Sequence, residues 1–169
     1  MRMKSLTKAV IMARGLGTRM RKADEAASGL SNDQQQAASA GVKALIPTGS
    51  GRPFLDYVLT CLADAGFESV CLVIGPEHQQ LREYYSITVR PKRLKIDFAI
   101  QPEALGTANA IAAAQTFAGE DDFLALNSDN YYPMEALRAA QAFDGMGLVG
   151  FDEDALLAGS NIPPERLRG

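Results

Sequence analysis

Lys8–Arg21 reads KAVIMARGLGTRMR, and the fold is decided by its two halves. Lys8–Ala13 is a short apolar run with β-branched residues at its centre, closed by glycine, the pattern of a strand buried on both faces. Arg14-Gly-Leu-Gly-Thr-Arg-Met20 follows it directly. Two glycines let the backbone approach a ligand and turn successive N–H groups into one concavity. Arg19 and Arg21 add charge able to grip phosphate oxygens. Two better-known phosphate loops do not fit. The dinucleotide fingerprint needs a third glycine where Met20 stands, and the lysine-serine or lysine-threonine pair of a P-loop is missing. Taken alone, the two glycines fit a plain tight turn equally well.

Working outward, strands and helices alternate. Pro53 opens a helical pattern with Phe54, Leu55, Val58, Leu59, Leu62 and Ala65 on one face, stopped by Gly66. Ser69–Ile74 is a second buried strand and Glu77–Tyr85 a short helix. Ile96–Ile100 is a third strand, followed by an alanine-rich helix over Thr107–Phe117. Phe123–Leu126 is a fourth strand, Pro133–Ala142 a helix and Leu148–Phe151 a fifth strand. Such alternation predicts an α/β fold, a mostly parallel Rossmann-like sheet with helices on both faces. Ligands of such sheets lie beyond the carboxyl ends of the strands. The polar stretch from Lys22 to Gly41 reads as a long mobile loop.

The chain has 169 residues, a length that fits a single domain over residues 1–169. Its net charge of −3 gives no general attraction to nucleic acid or to an anionic membrane, so a phosphate ligand needs a local basic site. No segment approaches the roughly 18 apolar residues of a membrane span. The basic start, Met1-Arg-Met-Lys4, precedes an apolar stretch too short for a signal peptide. The expectation is a soluble, cytoplasmic protein. Cys61 and Cys71 fit no zinc spacing and read as buried, reduced thiols. His78, the single histidine, lies outside every motif and reads as a surface residue.

Five strings occur in one order: KAVIMARGLGTRM, VKALIP, GRPFLDYVLTCLADAGF, IQPEALGTANAI and FLALNSDN. Together they resemble the sugar-phosphate nucleotidyltransferases, from Lys8 to about Asp152. That family joins a sugar 1-phosphate to a nucleoside triphosphate and releases pyrophosphate. The resemblance implies that Ala13, Gly15, Gly17 and Thr18 wrap the nucleotide, with Arg19 on its phosphates. Lys43 matches a second phosphate-contacting base, although Val42 replaces the family's proline; alone it reads as a surface lysine. Asp129 matches a metal-binding aspartate, implying Mg²⁺, with Asn127 and Asn130 in support; alone it reads as a helix-cap or turn aspartate. Arg19, Lys43 and Asp129 are then the catalytic set.

Gln101 carries an acceptor and a donor side by side, a pattern that pairs with the imide edge of uracil or thymine and less uniquely with guanine. Alone it reads as a solvated loop amide. Gly106 would permit close approach of base or ribose, with a helix starting at Thr107. The expected partners are UTP or dTTP, with GTP less favoured, and a sugar 1-phosphate; a homo-oligomer stays open. The sequence departs from the family in two places. Arg14 replaces a small residue beside the nucleotide, where it either points away, adds a phosphate contact or crowds the base. Nothing after Asp154 resembles the sugar-binding half, so the chain is expected to stop short of it. A non-catalytic nucleotide-sensing domain of the same fold is the alternative.

Overall fold

The structure, a computed structural model, describes residues 6–15 and 43–159, apart from the side chain of Lys43. Four of the expected strands form: β1 (Lys8–Met12), β2 (Ser69–Ile74), β3 (Lys95–Ile100) and β4 (Phe123–Asn127). They make one sheet in the order β3-β2-β1-β4, parallel at every junction. From β1 the chain steps out to β2 and β3 on one side, then returns to place β4 on the other. Strand order therefore reverses between β1 and β4, and a crevice opens at their carboxyl ends. Register puts Met12 opposite both Val73 and Asn127.

Alternation along β1 sends its side chains to two cores. Ala9, Ile11 and Ala13 pack with Val70, Leu72 and Ile74 under α1 (Phe54–Asp64), whose Leu55, Val58, Leu59 and Leu62 recur at helical spacing. Val10, Cys71 and Val73 face the opposite way, against Ala110 and Ala114. Helices thus cover both faces, as the alternating sequence predicts. Each fully buried aliphatic side chain contributes about 1.5–3 kcal/mol. α1 ends as the sequence anticipates. Gly66 takes φ 91°, and the Phe67 and Gly66 N–H groups close back on the carbonyls of Leu62 and Ala63.

The remaining helices depart in detail. α2 (Gln79–Glu83) runs into a π-type turn over Tyr84–Thr88. There the Tyr84 and Tyr85 hydroxyls both donate to the Asp56 carboxylate of α1, at 3.2 and 2.8 Å. The alanine-rich helix is two helices, α3 (Thr107–Ala113) and α4 (Gln115–Ala118). Ala114 leaves helical angles, and its N–H bonds to Ile111, three residues back. α5 spans Met134–Ala142.

The fifth strand expected at Leu148–Phe151 is absent. Those residues lie exposed without secondary structure, and α6 (Glu153–Gly159) follows. A strand needs a neighbour to pair with, and none of the described residues pairs with 148–151. Glycines at 145, 147 and 150 further weaken extended structure there.

Candidate functional site

The carboxyl edge of the sheet carries one row of polar residues. After β1 come Ala13, Arg14 and Gly15. Ala13 is committed to the fold: its N–H donates to Val73 O at 2.9 Å and its methyl is buried under α1. Gly15 is exposed. Gly17, Thr18, Arg19 and the loop expected over 22–41 lie outside the described residues. Lys43 opens a 3₁₀ turn over Lys43–Leu45 that packs near α1.

Gln101, following β3, is buried, with 3% of the residue exposed. The solvated-amide alternative therefore falls. Its backbone N–H donates to Ile74 O, which sets it beside the end of β2. Its Nε2 donates to Gly106 O at 3.2 Å and to Asn109 Oδ1 at 2.9 Å. A carbonyl only accepts, so Gly106 fixes which way the amide points. Both amide hydrogens are committed, and Oε1 is the one group Gln101 can offer a ligand. The donor half of the expected imide-reading pair must come from elsewhere. Gly106 makes this contact at φ 96° and ψ −176°, a conformation open essentially to glycine alone. Thr107, first residue of α3, is exposed.

β4 ends in Asn127-Ser-Asp-Asn130 beside β1, where the Ser128 N–H donates to Met12 O. Tyr132 clasps the turn: its hydroxyl accepts from Asn127 N–H at 2.9 Å. Asp129 is held out in solvent. It does not cap α5, whose N-cap is Pro133 with no side-chain bond, so the cap alternative falls too. Among the described residues neither Asn127 nor Asn130 bonds to Asp129 through its side chain. Asp129 thus lies on the β4 side of the reversal point and Gln101 two strands beyond β1 on the other.

Between them sits a cluster that sequence reasoning missed. Arg14 turns toward the end of β2, where its Nε donates to Glu77 Oε1 at 3.4 Å. The Glu77 carboxylate lies against Gly75, where a Cβ would collide with it. It also accepts its own backbone N–H, which, with the Arg14 guanidinium adding, holds its pKa below the usual carboxylate value. His78 is buried, not at the surface: Gly75 N–H donates to its Nδ1 at 3.3 Å, so its proton sits on Nε2, 3.8 Å from Glu77 Oε1. Burial lowers its pKa and keeps it neutral. The available signal was position alone, since Glu77 and His78 directly follow a strand.

A groove of about 430 Å³ lies on the α3–α4 face, lined by Lys8, Ser69, Cys71, Lys95, Asp97 and Phe117. Lys8, Ser69 and Lys95 each open a strand, so this groove belongs to the amino edge, opposite the row above. Ligands of parallel sheets bind at the other edge. Burial pushes the Cys71 thiol up to about 11, which makes it inert packing.

The family profile described as nucleotidyl transferase matches residues 8–148. The chain belongs to the nucleotidyl transferase family. The bifunctional protein GlmU of Rhizobium leguminosarum bv. trifolii is 32% identical over 154 residues, covering 86% of this chain and 29% of that protein. The structure of UDP-glucose pyrophosphorylase from Acinetobacter baumanii aligns with a TM-score of 0.57 at 25% identity, over 73% of this chain and 46% of that one. The inositol-1-phosphate CTP transferase from T. maritima shares the fold, with a TM-score of 0.61 at 19% identity over 85% and 51%. This nucleotidyl transferase chain therefore spans under a third of the curated relative and about half of each solved structure. No described helix is long and apolar enough to cross a membrane.

Proposed function

We propose that the chain binds a nucleoside triphosphate along the carboxyl edge of its sheet, as the nucleotide-binding portion of an enzyme that transfers a nucleotidyl group to a sugar 1-phosphate. The observation that carries this reading is the row itself. Gln101, Arg14-Gly15 and Asp129 follow three different strands and flank the reversal between β1 and β4. The row crosses three strand spacings, about 14 Å, room for a base at the Gln101 end and phosphates toward Asp129. Gly17, Thr18, Arg19 and Lys43 are assigned to the phosphates from sequence.

In the reaction a sugar-phosphate oxygen attacks the α-phosphorus, a new P–O bond forms, and the bond to the β-phosphate breaks to release pyrophosphate. Such chemistry rests on positioning and charge neutralisation, so no nucleophilic side chain is required. Asp129 suits Mg²⁺, a cation that takes one or two carboxylates and completes its shell with phosphate oxygens and water. Among the described residues no cluster of three or more His, Cys, Asp or Glu would cage a metal. Held at Asp129, Mg²⁺ would offset the charge that builds on the phosphates. The sugar-binding half of the reaction is assigned to sequence outside the span shared with the relatives.

UTP or dTTP is the favoured nucleotide, since Gln101 Oε1 accepts an imide N–H and a 25% identical relative is a UDP-glucose pyrophosphorylase. Calorimetry with UTP, dTTP, GTP and ATP, each with and without Mg²⁺, tests the binding reading. Equal affinity across all four would remove base recognition. A second reading, nucleotide binding without turnover, is favoured by Arg14, whose bulk stands where the family keeps a small residue. Pyrophosphate release from the purified chain across several sugar 1-phosphates separates the two readings.

A further inference from the structure

Arg14 is nine-tenths buried, with a side-chain exposure of 10%. One of its amino groups, NH1, is fully buried and has no hydrogen-bond partner among the described residues. Among the described residues its one polar contact is the long bond from Nε to Glu77, which is itself nearly half exposed. A guanidinium has five donors, and a buried donor left unmade is costly. A residue serving only the fold would not be held this way, because an apolar side chain of the same length would pack there without that cost. The arrangement suits a group awaiting an acceptor from outside the chain.

Position names the acceptor. Arg14 and Gln101 adjoin the same end of β2: Ala13 N–H donates to Val73 O, and Gln101 N–H to Ile74 O. Arg14 leans toward that end, through Glu77, and away from Asp129 on the β4 side. Gln101 supplies an acceptor and lacks a spare donor; Arg14 supplies a donor and lacks an acceptor. We propose that Arg14 reads the nucleobase, its guanidinium donating to a base carbonyl while Gln101 Oε1 accepts the neighbouring ring N–H, with Glu77 as the internal counter-ion. Two residues from different strands thereby rebuild the donor–acceptor edge that Gln101 alone no longer presents. The proposal rests on the nucleotide-binding reading above.

The test uses Arg14→Met, which keeps the aliphatic stem and removes every donor. Wild type and variant are titrated with UTP, 2-thio-UTP, 4-thio-UTP and inorganic triphosphate, all with Mg²⁺, and both are melted. Loss of a charge-assisted hydrogen bond corresponds to about tenfold or more in affinity. The variant should melt at or above the wild-type temperature, bind UTP about tenfold or more weakly, and bind inorganic triphosphate unchanged. One thio analogue, its sulfur a poor acceptor, should bind wild type about tenfold more weakly than UTP, and that penalty should vanish in Arg14→Met. Should Met not fold, Arg14→Gln, with an uncharged donor, is measured in its place and should retain part of the thio penalty. Equal losses for UTP and triphosphate would make Arg14 a phosphate ligand and overturn the proposal. So would unchanged or tighter UTP binding, or two thio analogues that bind like UTP. A wild-type chain that binds no nucleoside triphosphate overturns the nucleotide-binding reading and this one together, whereas UTP binding indifferent to Arg14 overturns this one alone.

Discussion

Replacing Gly106 with alanine separates the backbone's role in the site from any side chain's. Gly106 stands at φ 96° and ψ −176°, and a Cβ added there would meet nothing within 4 Å. No packing is gained or lost, so the whole effect is conformational. Holding a non-glycine residue in this region costs about 1–3 kcal/mol. For a chain of this size each kcal/mol shifts the melting temperature by about 2–4 °C, so Gly106→Ala should melt about 2–12 °C below wild type. Should the backbone relax instead, its carbonyl leaves Gln101 Nε2, and the penalty moves from stability to nucleotide affinity. Thermal melts paired with UTP calorimetry capture both forms of the loss. Gly49→Ala is the control: its φ is ordinary and its surroundings equally open, so it should stay within about 0.5 kcal/mol of wild type. If Gly106→Ala matched wild type in both melting and UTP affinity, the argument that this backbone geometry anchors Gln101 would be refuted.

Asp129→Asn should leave stability within about 0.5 kcal/mol, since the side chain is exposed and caps nothing; it should remove the Mg²⁺-dependent part of triphosphate affinity, read by calorimetry with and without the metal. Asp56→Ala strands the buried Tyr85 hydroxyl that donates to it at 2.8 Å. It should cost about 1–3 kcal/mol in urea unfolding and leave UTP affinity unchanged. His78 is held neutral chiefly by burial, so its folded pKa lies below the ordinary 6.5. The unfolded chain then takes up a proton that the folded chain refuses. Its contribution is full above about pH 6.5 and is lost as pH falls through the folded pKa. The urea midpoint should drop on acidification below about pH 6.5, and His78→Asn should flatten that part of the profile.

The sheet was legible because each strand is a compact apolar run, and Gly66 and Pro53 punctuate α1 where local chemistry says they should. The family was legible from ordered motifs, several of which fall at strand ends. Legibility failed where partners lie far apart along the chain. Nothing near Arg14 announces Glu77, and nothing near Asp56 announces Tyr84 and Tyr85. His78 looked polar and loose by its neighbours, yet its ring is drawn inward by the Gly75 N–H. Gln101 follows β3 where the sequence puts it, but its amide hydrogens are spent on Gly106 and Asn109, partners that the string QPEALGTAN does not announce. Leu148–Phe151 shows the converse: composition suits a strand, but pairing is a property of two segments, and no second segment is described beside it.

The order β3-β2-β1-β4 also bears on how the chain comes into being. β1 lies at the centre of the sheet, yet it is synthesised before both of its neighbours, Ser69–Ile74 on one side and Phe123–Asn127 on the other. Synthesis proceeds at about 5–20 residues per second, so β1 emerges on the order of ten seconds before β4. For that interval KAVIM is an apolar, β-prone segment with at least one edge bare. The strand that ends in Ala13-Arg14-Gly15 thus gains its second neighbour only when β4 arrives.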